Sequence, residues 1–255
     1  MSASHANAAA AAAWVSAMES LIAVTPQARS RRGGHGTHLL LTGVPLATLN
    51  AVFSVNHDPD ADEVADFAAS LDGAQSPWSI QVRGEPSPRV VETAATHGLT
   101  AQTQGPLMTR HVDAGILPQE PAALRVRTAT AADHQVFLEV LSSGFGVPPE
   151  MFGPLASAAL LDAPGVAAYL GEEDGVPVAS GLGVLGAGHV GVFNIATVPR
   201  SQRRGYGRAM TTAVLRDGYA AGADTAFLPP TAAGLPVYES LGFRTAEHWT
   251  YFTAS

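Results

Sequence analysis

The chain has no cysteine and no lysine. Without cysteine there are no disulfides, no thiolate metal sites and no thiol nucleophile. Without lysine there is no P-loop, because GxxxxGK[ST] needs its lysine on the phosphates. All 14 basic residues are arginine, against 22 acidic ones, for a net charge of −8. That balance argues against a broad nucleic-acid surface. Long apolar runs are also missing, so no membrane span is expected. The alanine-rich start, SASHANAAAAAAWVSAM, lacks the basic region that opens a secretory signal. Trp14, Met18, Leu21 and Ile22 fall at helical spacing instead, which predicts an amphipathic helix over residues 8–22, stopped near Pro26. A cytoplasmic location is the expectation.

What the chain does have is 255 residues, 46% of them hydrophobic, enough for one large domain or two small ones. The most informative stretch is GVFNIATVPRSQRRGYGRAMTTAVLR, residues 191–216. Residues 192–198 are apolar and β-branched, a strand signal. Residues 199–204 form a break rich in arginine. Tyr206, Met210, Ala213 and Val214 then share one face of a helix. Strand, turn and helix in that order aim main-chain N–H groups and a helix N-terminus at one point, an arrangement that binds phosphate. Gly205 and Gly207 let a ligand approach the backbone closely. Arg203, Arg204 and Arg208 add positive charge. A dinucleotide fingerprint would need GxGxxG directly after the strand, and the spacing here is Gln202-x-x-Gly205-x-Gly207. Taken alone, the segment fits an ordinary strand–turn–helix equally well.

The pattern resembles motif A of the GNAT superfamily of acyl-CoA-dependent N-acyltransferases, Q/R-x-x-G-x-G/A after a strand ending in V-x-P or V-P. A second segment, VYESLGF at residues 237–243, is similar to the Y-x-x-x-G-F that closes many family members, with Tyr238, Gly242 and Phe243 matching. The resemblance runs from Leu124 to the C-terminus. It implies an α/β fold with a mixed (α+β) sheet, and transfer of an acyl group from acetyl-CoA to an amine of a small acceptor.

The resemblance also implies roles. The amides of residues 203–208, with Gln202 at the start of the turn and Tyr206 within it, would take the pyrophosphate. The strand edge at Ala196, Thr197 and Val198 would pair with the pantetheine arm, and an amide there would face the thioester oxygen as charge develops. Pro199 ends that pairing for lack of an N–H. Tyr238 is the candidate general acid for the departing thiolate; simple packing under the sheet is its plainer reading. Thr231 stands where relatives place a small polar residue near the cofactor. Phe145, Met151 and Phe152 are candidates to line the acceptor pocket or to fill the core. The general base is open. The strand carries no acid, and His189, His134, Glu139, Glu150, Glu247 and His248 are scattered alternatives. No metal site is expected.

The first half repeats the element order of the second. Strands over 38–42 and 47–55, a helix over 60–71, a strand over 78–82, a helix over 88–97 and a strand over 106–112 give β-β-α-β-α-β. Residues 178–253 are expected to run the same way. THGL at 96–99 sits where SLGF sits at 240–243. A polar loop is expected over 28–36, a strand over 124–127, and helices from Thr130 and over 150–161. A GNAT-like, degenerate N-terminal domain over 1–113, a linker over 114–123 and a catalytic domain over 124–255 follow. The degeneracy has an electrostatic reason. Asp58, Asp60, Asp62 and Glu63 crowd the first half's equivalent of the phosphate turn, where they cap a helix and repel a diphosphate. A monomer is expected, with a homodimer as the alternative. A catalytically silent acyl-CoA-binding protein, another acyl donor and an O-acceptor are the competing readings.

Overall fold

The computed structural model describes residues 3–119 and 121–255. Glu120, inside the expected linker, lies outside them, as do Met1 and Ser2. In chain order the elements are α1 (Ala3–Ala23), β1 (Arg29–Arg32), β2 (Thr37–Leu41), β3 (Asn50–Ser54), α2 (Ala61–Ala69), β4 (Ser79–Arg83), α3 (Pro88–Thr96) and β5 (Ala101–His111). Then come β6 (Arg125–Ala129), α4 (His134–Phe145), the short helices α5 (Pro149–Phe152) and α6 (Ala158–Leu161), β7 (Val166–Glu173), β8 (Val176–Gly186) and β9 (His189–Thr197). The chain ends with α7 (Tyr206–Ala220), β10 (Thr225–Leu228), α8 (Leu235–Ser240) and β11 (Arg244–Thr253). The repeated order is present: β2-β3-α2-β4-α3-β5, then β8-β9-α7-β10-α8-β11.

Three segments differ from expectation. Residues 29–32 form a strand rather than loop, because their backbone pairs antiparallel with β2 while every side chain stays exposed. The helix expected over 150–161 is broken into α5, a single 3-10 turn and α6, since Gly153 and Pro154 interrupt it. The strand expected from residue 47 begins at Asn50, after a 3-10 turn over Ala47–Leu49.

Packing divides the chain into two units, and the division is not linear. Residues up to Leu107 join Thr245–Ser255, and Met108–Arg244 form the other unit. In the first, β1 to β4 lie in order and β11 runs antiparallel beside β4. Alternation along β3 serves two faces. Val52 joins a core with Val64, Phe67, Ile80 and Val90 beneath α2 and α3. Phe53 points the other way and packs with Trp14 and Trp249, ring centroids 4.8–5.2 Å apart. Trp14, Met18, Leu21 and Ile22 of α1 are all buried, as their spacing predicts.

The second unit has the sheet order β5-β10-β9-β8-β7-β6, β5 contributing only its last residues. Met108 sits opposite Leu228 and His111 opposite Thr225, antiparallel. The pair β9–β10 is parallel, joined by the α7 crossover. Thr130 and Asp133 make the expected capping box, Asp133 Oδ2 accepting the Thr130 N–H at 3.0 Å. Phe137, Val140 and Leu141 bury one face of α4. This helix runs to Phe145, four residues beyond Leu141, and stops where Gly146 turns left-handed at φ 69°.

Candidate active site

The predicted strand–turn–helix is present as β9, a turn and α7. Its parallel partnership with β10 covers only His189 to Gly191. Beyond that, β9 pairs with β8 alone and slips register opposite Asn194, whose φ is 52°. This bulge leaves the far side of the strand open at Ile195 to Thr197. Not every amide there is free. The Val198 N–H donates to the Val178 carbonyl at 2.9 Å and the side chain is buried, so Val198 cannot offer the donor expected of it. Amides alternate along a strand. With Val198 turned to β8, the Thr197 amide faces the open side.

The turn owes its shape to two left-handed residues, Arg203 at φ 63° and Gly205 at φ 84°. An L side chain at the second position is strained. Gly207 is different. A methyl there would stand 3.8 Å from Ile195 Cγ2 and 4.0 Å from Thr197 Oγ1, so the protein leaves that space open. Among the described residues the amides of residues 203–208 find no acceptor in the protein. An array of free amides, a glycine cradle and a helix N-terminus fit a diphosphate.

The four arginines divide in role. Arg203 and Arg208 are exposed, line the cavity and have no ion-pair or hydrogen-bond partner among the described residues. Arg204 turns away. Its guanidinium pairs with Glu173 and lies 5.1 Å from the Tyr206 ring centroid. The Tyr206 hydroxyl donates to the same carboxylate at 3.0 Å and its ring is buried, leaving only its backbone for a ligand. Burial pushes the Glu173 carboxyl up, but bonds from Arg204, Tyr206 and Ser201 outweigh it and hold the group below its ordinary range. Arg200 follows Pro199 in the preceding turn and does not line the cavity. Arg204→Met is therefore expected to cost under about 1 kcal/mol of stability and to leave acyl-CoA affinity within about threefold, checked by urea denaturation and calorimetry. Gln202 lines the cavity, but its Nε2 donates to the Thr197 carbonyl at 3.1 Å and so closes the end of β9.

A cavity of about 800 Å³ joins the turn to α8. Ala196, Thr197, Gln202, Arg203, Gly205, Tyr206, Gly207, Arg208, Thr231 and Tyr238 line it, while Val198 and Arg204 do not. Thr231 Oγ1 accepts the Gly234 N–H at 3.2 Å, closing the turn that leads into α8. The ring of Tyr238 fits because residue 234 is glycine; a methyl there would stand 2.9 Å from Tyr238 Cε2. The Tyr238 hydroxyl has no hydrogen-bond partner among the described residues, and burial pushes its pKa up to about 12. It stays protonated throughout the neutral range. Phe145 lines the cavity and stacks edge-on against buried Phe152, centroids 5.3 Å apart; Met151 is not in the lining.

Among the described residues the lining contains no Asp, Glu or His. His189 lies at the opposite end of β9 with Nδ1 on the Ala187 carbonyl, and His134 Nδ1 lies on the Ala131 carbonyl. Glu247 is paired with Arg83 in the first unit. Glu139, Glu150 and His248 are not in the lining either.

Sequence reasoning missed Gly144. A methyl there would sit 2.7 Å from Ala196 Cβ and 2.9 Å from the Thr197 nitrogen, so α4 packs directly against β9 there. The sequence predicts that this helix ends at Leu141, with residues 142–149 as a loop, so the glycine gave no packing signal. Gly144→Ala is expected to destabilise by about 1–3 kcal/mol and to lower kcat/KM, read by thermal denaturation and steady-state kinetics.

The matching turn of the first unit is filled by its own carboxylates. Asp60 accepts the Glu63 N–H at 2.9 Å, and Glu63 accepts the amides of His35 and Thr37, both at 2.9 Å. The Asp60 and Glu63 carboxylates therefore stand at that helix start, where they repel a diphosphate.

Residues 136–243 match the model of the Acetyltransferase (GNAT) family. No curated protein matches the sequence significantly. Several solved structures share the fold. A GCN5-related N-acetyltransferase from Kribbella flavida is 18% identical with TM-score 0.71, over 97% of this chain and 95% of that one. A functionally unknown conserved protein from Staphylococcus epidermidis is 11% identical with TM-score 0.66, over 89% and 94%. A GCN5-related N-acetyltransferase from Sphaerobacter thermophilus is 15% identical with TM-score 0.56, over 86% and 80%. Among the described residues no helix is long and apolar enough to cross a membrane. The turn, the open strand edge and the segment ending in Phe243 all fall within residues 136–243, the part of the chain that matches the GNAT acetyltransferase family.

Proposed function

We propose that this protein transfers an acetyl group from acetyl-CoA to an amine of a small-molecule acceptor, by direct attack in a ternary complex. One observation carries the reading: a single cavity brings together the free amides of the turn, the open edge of β9 and an unpartnered tyrosine hydroxyl. The amides of residues 203–208 bind the diphosphate, with Arg203 and Arg208 supplying charge. Ala196 and Thr197 align the pantetheine arm along β9, and the Thr197 amide faces the acyl oxygen as negative charge grows there. Tyr238 donates to the departing sulfur. With no cysteine in the chain, no thiol carries the acyl group between substrates.

Among the described residues no carboxylate or imidazole lines the cavity, so the proposed acceptor amine arrives unprotonated or gives up its proton through water. That favours amines with a pKa close to or below neutral, such as aromatic amines or an α-amino group near about 8. The reading extends to a cytoplasmic monomer whose N-terminal domain is non-catalytic. Calorimetry with acetyl-CoA, followed by thiol release across a panel of amines, tests the proposal. Mass spectrometry of products from mixed acyl-CoAs, with amine and hydroxyl acceptors offered together, tests the acetyl and N-transfer choices. An absence of heat with acetyl-CoA would sink the proposal. Binding without thiol release for any acceptor would leave a silent binding protein instead.

A further inference from the structure

Among the described residues the Tyr238 hydroxyl makes no hydrogen bond, so the helix that carries it must place it. Yet α8 has six residues, none of them fully buried. A helix so short has no stability by itself. Thr231 holds its start, and the buried anchors lie at its C-terminal end. The Tyr238 carbonyl accepts the Leu241 and Phe243 amides at 3.0 and 3.1 Å, and both of those side chains are buried. The Leu241 carbonyl in turn accepts from Arg110 Nε at 2.7 Å.

Arg110 is on the last residues of β5 and is 2% exposed. Its Nη2 donates to the Gly115 carbonyl at 2.6 Å, and its Nη1 to the His111 carbonyl at 3.2 Å and the Tyr219 hydroxyl at 3.1 Å. The Tyr219 hydroxyl donates back to the Arg110 carbonyl at 3.1 Å. No carboxylate pairs with this guanidinium among the described residues. A buried cation without a counter-ion is costly, and an apolar side chain of similar volume would fill the space at less expense. The fork instead spends charge-assisted bonds on carbonyls, one of them at the negative end of α8.

We propose that Arg110 is a positioning residue for Tyr238: it grips the C-terminal carbonyl of α8 and so fixes where the hydroxyl stands in the cavity. The proposal rests on the role given to Tyr238 above.

Arg110→Lys keeps the cation and loses the planar fork. In the ligand-free protein, amide exchange over 235–243 is expected to quicken about tenfold or more, while 206–213 keeps its wild-type rate. In turnover with acetyl-CoA and a reactive amine from the panel, kcat is expected to fall about tenfold, with KM for acetyl-CoA changed less than about twofold. In a Tyr238→Phe background the same substitution is expected to cost nothing more, because no hydroxyl is left to place. Equal losses in both backgrounds, or unchanged exchange over 235–243, overturn the proposal. Should the lysine variant fail to fold, Tyr219→Phe removes one acceptor of the fork and carries the same comparison, with an effect of about threefold. If Tyr238→Phe alone leaves kcat intact, the role of Tyr238 has failed and this proposal fails with it. Additive losses would remove the role of Arg110 alone.

Discussion

Tyr238→Phe is expected to lower kcat about 100-fold or more while KM for acetyl-CoA stays within about twofold. The ring survives the substitution, so its edge-on contact with Phe243 at 5.8 Å and its fit against Gly234 are kept. Only the hydroxyl is lost, and that hydroxyl has no structural partner to leave unsatisfied. Stability should therefore hold. The raised pKa refines the role. A phenol near 12 is a weaker acid than a thiol of about 8.5. Outright proton transfer to the sulfur is uphill, so the hydroxyl acts by a hydrogen bond that strengthens as charge grows. The sign of the pH effect follows. Burial favours the neutral phenol, so this group's contribution to stability is complete below about 10 and is lost as pH rises through about 12. The rate should show no loss from phenol ionisation through the neutral and mildly alkaline range. Steady-state kinetics from pH 6 to about 10 check this; a drop in kcat/KM in the wild type that Tyr238→Phe abolishes below that limit would contradict it.

Reversing charge at both Arg203 and Arg208 is expected to weaken acetyl-CoA binding on the order of 100-fold at low salt, with a smaller loss at high salt. Both guanidiniums line the cavity and neither is spent on another group, so the variant should unfold like the wild type. Calorimetry at two ionic strengths measures the effect. Unchanged affinity in a folded variant would place the diphosphate elsewhere. Arg204→Met is the natural control, since its charge is committed to Glu173.

Reading Arg203, Arg204 and Arg208 as one cationic patch was the limit of composition and spacing. Side-chain direction depends on dihedrals that alternate through the turn, and the left-handed φ of Arg203 and Gly205 sends Arg204 the opposite way from Arg203. Val198 shows the same limit. The apolar pattern marked a strand, but which amides it leaves free depends on the partner strand, and the bond to Val178 is far away in sequence. Gly144 and Arg110 were out of reach for a related reason. Their meaning lies in what faces them, the Thr197 backbone and the Leu241 carbonyl, and neither is near in the chain.

What the amino-acid order determined by itself was local: the break at Pro199, the glycines of the turn, the helix face of Tyr206, Met210, Ala213 and Val214, and the acidic start of the helix capped by Asp60. Each follows from dihedral sterics, helical period or charge within a few residues. Only the tertiary structure decided the strand partners, giving the end of β5 to β10 and β11 to β4. Ladder hydrogen bonds are made by a backbone that is the same at every residue. Two similar β-rich endings therefore carry no local mark of which sheet each will complete.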